Sequence, residues 1–374
     1  MKKHIFRHAI MALGICSVLN IQAQAPHPER IYLSGTGIDN TRTWQFFCTK
    51  GLNSGKWKPI EVPCCWELQG FGEYTYGRYY MVKGAKPNDE IGIYRYYFQT
   101  PKCKKNDRVK LFFDGVMTDA EVLINGKPAG NIHQGAFYRF SYDITSLLNT
   151  EGKNQLEVKV AKQSANKSVN AAERRADWWL FGGIYRPVWL EVVPEVSMEH
   201  FVIDARADGH FRASVRTSGD SEGYFLSISV QGLKDGKFLK TDEGKEEMTC
   251  RISCAGKETN VETWWHDVKV WNTESPELYR VRLILKDREG KIVQEREVRT
   301  GFRTIEFFPQ DGLYLNGTRL VVKGINRHSF SVDGGRTTSA AMSLQDALLI
   351  KEMNMNAVRS HYPPDEHFLD MCDS

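Results

Sequence analysis

The sequence predicts a multidomain fold in which two antiparallel β domains precede the first strands of a parallel α/β sheet. Three observations carry this. Short alternating apolar runs separated by turn residues fill positions 95–194, and a second series of the same kind fills 195–306. After Phe307 an apolar strand, a helical stretch and another strand follow in turn. A chain of 374 residues also exceeds one ordinary core and divides into two or three domains.

The chain opens with Lys2, Lys3 and Arg7, continues through AIMALGICSVLNI, and reaches small residues at Ala23 and Ala25. Basic start, short apolar core and small-residue cleavage site are the order of a secretory signal, so residues 1–25 are expected to be removed and the mature protein exported, periplasmic or secreted. Cys16 is a poor lipidation site because bulky Ile15 stands before it, where such signals want a small residue. No later segment reaches the roughly 20 apolar residues of a membrane span. The formal net charge of +4 falls to +1 once the three signal cations leave. Neither a nucleic acid nor an anionic membrane surface is therefore an expected partner. Outside the signal, seven cysteines are scattered without metal-ligand spacing, and the vicinal Cys64–Cys65 pair and Cys250/Cys254 read as buried thiols or as oxidisable pairs.

In the first β domain the runs are RYYFQT, DRVKLFFDGV, AEVLINGKPAG, FYRFSYDI, NQLEVKVAK and VWLEVVP. Asn125-Gly126 between two apolar runs predicts a type I′ hairpin, whose two central residues both need positive φ. The second domain holds FRASVRT, YFLSISVQ, VETWWHDVKVW, YRVRLILKD and VQEREVRTGF, with turns at Asp208-Gly209, Asp235-Gly236 and Glu289-Gly290. Its length suits an immunoglobulin-like β-sandwich. Beyond Phe307, RLVVKGINRH reads as one nearly continuous strand, and MSLQDALLIKEMNM as a helix capped by Ser343, with Leu344, Leu348, Met353 and Met355 among good helix formers. Asn356 to Arg359 reads as the next strand. This βαβ order implies a parallel sheet, whose functional residues gather at the carboxyl ends of strands. Asn326, Arg327 and His328 then share one mouth with Arg359 and His361.

The motifs VPCCWELQGFG, EIGIYRYYF, VLINGKPAG, DWWLFGGIYRPVWLEVVP, WNTESPELY, GFRTIE, LNGTRLVVKGINRH and NAVRSHYPP run through nearly all of the mature chain. In them the sequence resembles glycoside hydrolase family 2. The resemblance implies a jelly-roll β-sandwich over 26–194, an immunoglobulin-like sandwich over 195–306, and the start of a (β/α)8 TIM barrel over 307–374. It also implies a retaining exo-β-glycosidase, β-galactosidase first, acting on an oligo- or polysaccharide, with β-glucuronide, β-mannoside and arabinoside as alternative substrates. Its two glutamates, about 5–5.5 Å apart in such enzymes, belong to later barrel strands and are expected beyond Ser374. A full barrel takes about 250 residues, so the given sequence is expected to be the front of a longer enzyme and inactive alone. Oligomerisation is compatible with all of this.

By the same resemblance His328 and His361 line the pocket for the terminal sugar, where a neutral imidazole can donate to one hydroxyl and accept from another. Arg359 orients the nucleophilic carboxylate. Asp177 reaches the sugar and a monovalent cation; Na+ and Mg2+ are the cofactors considered for the enzyme as a whole. Read without the resemblance, Asp177 is a turn aspartate capping the loop before the tryptophans, and each histidine a core residue or strand cap. Trp178 and Trp179 offer faces to a sugar or to the core. Asp89 stands where family β-galactosidases often carry asparagine in a sugar-contacting loop. Ser360 directly precedes His361, where many relatives have an additional residue.

Two rivals remain at this stage. His361, Asp365, Glu366 and His367 crowd together, but the His-Glu-x-x-His spacing of a zinc helix is absent and Pro363-Pro364 keep the histidines off one helix face. A non-catalytic carbohydrate-binding fragment is the second.

Overall fold

Alternation of side chains decides the first sandwich. In Lys153–Ala161 the residues Asn154, Leu156, Val158 and Val160 are buried while those between them stay partly exposed, as a strand with one face on a core requires. The computed structural model describes residues 30–373 apart from 78–80, 82, 85, 87, 176 and 257, so the expected signal lies outside the described residues.

One sheet of this sandwich runs Trp57–Val62, Arg42–Cys48, Ile91–Gln99, Lys153–Ala161, Asp119–Ile124, Lys127–Pro128 in spatial order. The facing sheet runs Ile31–Tyr32, Val188–Val193, Arg108–Phe113, Phe140–Asp143. Trp44, Phe46, Trp66, Tyr94, Leu111, Phe113 and Leu190 fill the space between them. The expected hairpin is present, with Asn125 at φ 52° and Gly126 at φ 79°. Trp66 presses so closely on the strands that a Cβ at Gly182 would lie 2.2 Å from its ring and one at Gly92 2.6 Å.

The second sandwich packs the sheet Ser197–Ala205, His210–Ser218, Glu258–Trp264 on the sheet Glu247–Arg251, Phe225–Gly232, Tyr279–Lys286, Ile292–Thr300. Phe211, Leu226, Trp265, Val281, Leu283 and Phe302 form its core. The three glycines of the expected turns, Gly209, Gly236 and Gly290, all have positive φ.

Beyond it, Ile305–Phe308, Gly312–Leu315 and Thr318–Leu320 make a small antiparallel sheet, and Gly324–Arg327 pairs in parallel with Ala357–Ser360 across the helix Ala340–Glu352. A second helix, Glu366–Asp373, follows. The βαβ unit is thus present, with two corrections. The run RLVVKGINRH is two strands, because Asn356 Oδ1 accepts from the Lys323 N–H at 2.8 Å and breaks the chain between them. The helix is capped by Ser339, whose extended backbone lets its Oγ accept from Met342 N at 3.3 Å. Ser343 sits inside the first turn, hydrogen-bonded to His367 Nδ1 at 2.8 Å. Leu344, Leu348 and Met353 are exposed, since the helix turns Ser343 and Ile350 inward.

Buried charge fastens this unit to the first sandwich. Arg186 donates to Asp365 Oδ1 and to the Pro363 carbonyl, each at 2.8 Å, and Thr338 Oγ1 donates to Asp365 Oδ2 at 2.8 Å. Around this pair Glu366 accepts from Arg30 at 3.0 Å and Arg139 at 3.1 Å. Removing one partner of such a pair leaves an uncompensated buried charge, at about 3–5 kcal/mol. Asp365→Ala is therefore expected to loosen residues 309–373 while both sandwiches persist. Limited proteolysis should trim the variant near Phe307 several times faster than the parent chain, and equal rates would contradict the anchoring role.

Candidate functional site

Register builds the site. Asn326 lies opposite Arg359 and Arg327 opposite Ser360, so the next residues, His328 and His361, leave adjacent strand ends side by side. The Arg327 carbonyl accepts from His361 N at 3.1 Å. The two imidazoles stack with centroids 4.4 Å apart and planes 20° from parallel. Trp179, from the first sandwich, sets its edge against His328 at 5.3 Å and stacks on Phe330 at 4.6 Å. Tyr362 packs flat on Phe137 at 3.9 Å and meets both histidines edge-on.

Burial lowers the pKa of His328, and the positive charge of Arg336 and proximity of His361 lower it further. Its Nδ1 is buried and has no hydrogen-bond partner among the described residues. The ring is held neutral with a free polar atom, able to donate or accept.

Asp177 is 2% exposed and divides its two oxygens. Oδ1 accepts from Trp178 N at 2.8 Å and Trp179 N at 3.5 Å, the capping role of a turn aspartate. Oδ2 accepts from Arg336, itself 2% exposed. The Arg336 guanidinium also lies over Tyr362 at 5.2 Å, Trp179 at 5.5 Å and Phe137 at 5.7 Å. Sequence reasoning missed Arg336, Phe137 and Phe330. The available signal was Gly334-Gly335, in the loop between the first strand and the helix and ahead of a polar cluster. Gly335 has φ 59°, and its close approach to Phe181 and Cys65 turns Arg336 inward.

A cation at Asp177 does not fit these residues. Arg336 already holds Oδ2, two backbone N–H groups hold Oδ1, and Arg174 adds a second buried positive charge to the carboxylate's field. Neither Na+ nor Mg2+ is assigned a role there. The zinc constellation does not converge: Asp365 turns to Arg186, Glu366 to Arg30 and Arg139, and His367 to Ser343.

Arg359 stands exposed at the mouth, donating to Asn326 Oδ1 at 3.4 Å. Arg327 is a support: it pairs with Asp346 at 2.6 Å and lies over Phe368 at 3.9 Å. Asp89 is at the surface, bonded to Lys50 Nζ at 2.8 Å, which holds its carboxyl below the usual range. No hydrogen bond or ion pair joins it to the cluster among the described residues. The seven cysteines from Cys48 to Cys372 are free thiols, with Cys48, Cys64 and Cys65 buried.

Three family models match in chain order: the sugar binding domain of glycosyl hydrolases family 2 over residues 46–194, glycosyl hydrolases family 2 over 196–303, and the TIM barrel domain of the same family over 309–374. The chain is 32% identical to a β-galactosidase of Priestia megaterium over 338 residues, covering 85% of this chain and 32% of that one. To a β-galactosidase of Halalkalibacterium halodurans it is 29% identical over 350 residues, 89% of this chain and 33% of that one. It therefore spans about a third of the length of these curated relatives. The crystal structure of a Bacteroides uniformis β-glucuronidase superposes with a TM-score of 0.72 at 26% identity, over 92% of this chain and 41% of that one. With its jelly-roll sandwich, immunoglobulin-like sandwich and first barrel strands in the order of the three models, the chain belongs to glycoside hydrolase family 2.

Proposed function

We propose that this chain is the front portion of an exo-acting retaining β-glycosidase that cleaves terminal β-linked sugars, β-galactosides first. The observation that carries the reading is the stacked His328–His361 pair beside Trp179 and the Asp177–Arg336 ion pair. A sugar ring offers apolar C–H faces and a rim of hydroxyls. Trp179 and Tyr362 supply apolar surface, and the two imidazoles, His328 held neutral by burial, supply polar atoms for the hydroxyls. In a double displacement one glutamate protonates the leaving oxygen and a second attacks the anomeric carbon. Here both are assigned to barrel strands after Ser374, with Arg359 holding the attacking carboxylate ionised by charge-assisted hydrogen bonds. The relatives named as β-galactosidases support the galactoside reading. A β-glucuronide is favoured by one other observation, the presence of Arg336 and Arg174 beside the single aspartate Asp177, with Arg359 acting on the neighbouring His328, and by the Bacteroides uniformis likeness. Turnover of a panel of nitrophenyl β-glycosides by the longer form separates the two.

In that form, His328→Ala and His361→Ala should each lower kcat/KM more than tenfold, about 1.4 kcal/mol, with melting temperature little changed. Unaltered kinetics in both would remove the pair from the site.

Acid should weaken sugar binding through His328. Its folded-state pKa lies below the ordinary value, so the neutral ring persists on the acid side of that value and is lost as pH falls through the lowered pKa. The imidazolium then has donors only and faces Arg336. Calorimetric titration of the product monosaccharide should show constant affinity near neutral pH and a decline in acid, a decline that His328→Gln removes. Affinity rising in acid would contradict it.

Export belongs to the same proposal and rests on the basic, apolar and small-residue order of residues 1–25. Intact-mass measurement of the exported protein should show a new start after Ala23 or Ala25, and a mature protein retaining Met1 would refute it.

A further inference from the structure

The outer face of the sheet that runs from Trp57–Val62 to Lys127–Pro128 carries a second, separate arrangement of rings and polar groups. Because alternate residues point inward, burial of Trp44, Phe46 and Tyr94 turns Thr43, Gln45, Arg95 and Tyr97 to the other side. Register sets Phe47 opposite Trp57 and Gln45 opposite Pro59 on one neighbour, and Gln45 opposite Arg95 on the other. Arg95 in turn faces Glu157, and Tyr97 faces Gln155. The result is a groove of about 430 Å3 whose lining includes Thr43, Gln45, Trp57, Lys58, Arg95 and Tyr97.

Two large rings in it remain in water, Trp57 at 41% exposure and Tyr97 at 47%. Neither is loose. The Arg95 guanidinium lies 4.2 Å from the Trp57 ring centre and is tied to Glu157 at 2.8 Å, and Tyr97 Oη donates to Gln155 Oε1 at 3.2 Å. Trp57 lies two strands from Ile93, and Tyr97 four residues further along that strand. At ~3.3 Å per residue and ~4.8 Å per strand their Cα atoms stand roughly 16 Å apart, a backbone span longer than one pyranose ring.

Charge narrows the occupant. Arg95 is offset by Glu157, and Glu61, beside the groove, accepts the hydroxyls of Thr41 at 2.8 Å and Thr43 at 2.6 Å. Lys58 donates to Asn53. With cation and carboxylate balanced, the face has little net field to gather a polyanion. Its rings are separated by amides, hydroxyls and an ion pair, unlike the contiguous apolar patch of a protein interface. Rigid aromatic faces for C–H surfaces, with amide and hydroxyl groups beside them for sugar hydroxyls, suit a neutral glycan.

We propose that this groove is a second carbohydrate-binding site, which takes a run of pyranose units of a neutral polysaccharide and is distinct from the pocket at the strand mouths. It requires binding alone and so stands independently of the proposed hydrolysis.

Affinity electrophoresis of the 374-residue chain tests it, in native gels containing β-1,4-galactan, galactomannan, xyloglucan or, as the anionic control, polygalacturonate. At least one neutral polymer should retard the parent chain. Trp57→Ala and Tyr97→Ala should each weaken that retardation about tenfold, Trp57→Phe should keep most of it, and His328→Ala should leave it unchanged. Thermal melts of each variant verify folding, and Trp57→Phe keeps the test decisive should Trp57→Ala not fold. Retardation by no neutral polymer, or by polygalacturonate alone, would overturn the proposal. So would retardation that survives the double alanine variant or that disappears with His328. Self-association in sedimentation that Trp57→Ala abolishes while retardation persists would make the face an interface between copies, and would equally overturn it.

Discussion

The contact between Asp177 and Arg336 is the interaction on which the site depends. Each residue is 2% exposed, so either charge alone would be buried without compensation. The pair joins a loop of the first sandwich to the loop after the first barrel strand. Next to it stands a second buried pair with the signs exchanged, in which the sandwich supplies the cation Arg186 and the barrel unit the carboxylate Asp365. Because the two pairs are oppositely directed, sliding the domains past one another breaks both at once and brings like charges nearer. That is a stricter constraint than apolar contact, which tolerates sliding.

The same guanidinium sets the chemistry of the pocket. Arg336 and burial together keep His328 uncharged, while Asp177 absorbs the arginine's charge and holds Trp178 and Trp179 through their backbone N–H groups. The far end of that loop has its own carboxylate. Glu67 accepts from Gly182 N at 2.9 Å and from buried Lys162 at 2.7 Å, and burial pushes its pKa up to about 7. The tryptophan loop is therefore pinned at both ends by buried acids, which leaves its ring positions little freedom to relax around a ligand.

Legibility in the sequence followed the range of the interactions. Asn125-Gly126, the three Gly turns of the second sandwich and the strand–helix–strand order were readable because each depends on residues a few positions apart. His328 and His361 were readable because parallel pairing brings successive strand ends together. Arg42–Cys48 and Trp57–Val62 were passed over: RTWQFFC puts an aromatic on both faces of one strand, so alternation of polarity is blurred where alternation of burial is not. Arg336 was illegible for a different reason. Its partner lies 159 residues away in another domain, and nothing local distinguishes it from a surface arginine. The misassigned cap has a local cause, since Ser339 and Ser343 are equally good capping types and only the extended backbone at Ser339 selects between them.

The two faces of the first sandwich are tied to each other by a glycine. A Cβ at Gly92 would lie 2.6 Å from the rings of both Phe46 and Trp66, so a one-residue slip of Ile91–Gln99 would drive Ile91 or Ile93 into those rings. Period two allows no intermediate register. With Gly92 fixed inward, Tyr94 must also point in and Arg95 and Tyr97 must point out. The outward row is then a geometric consequence of how Trp66 is buried, and Trp66 in turn supports Gly182 at the end of the tryptophan loop. Core, pocket and outer groove are in this way three readings of one register.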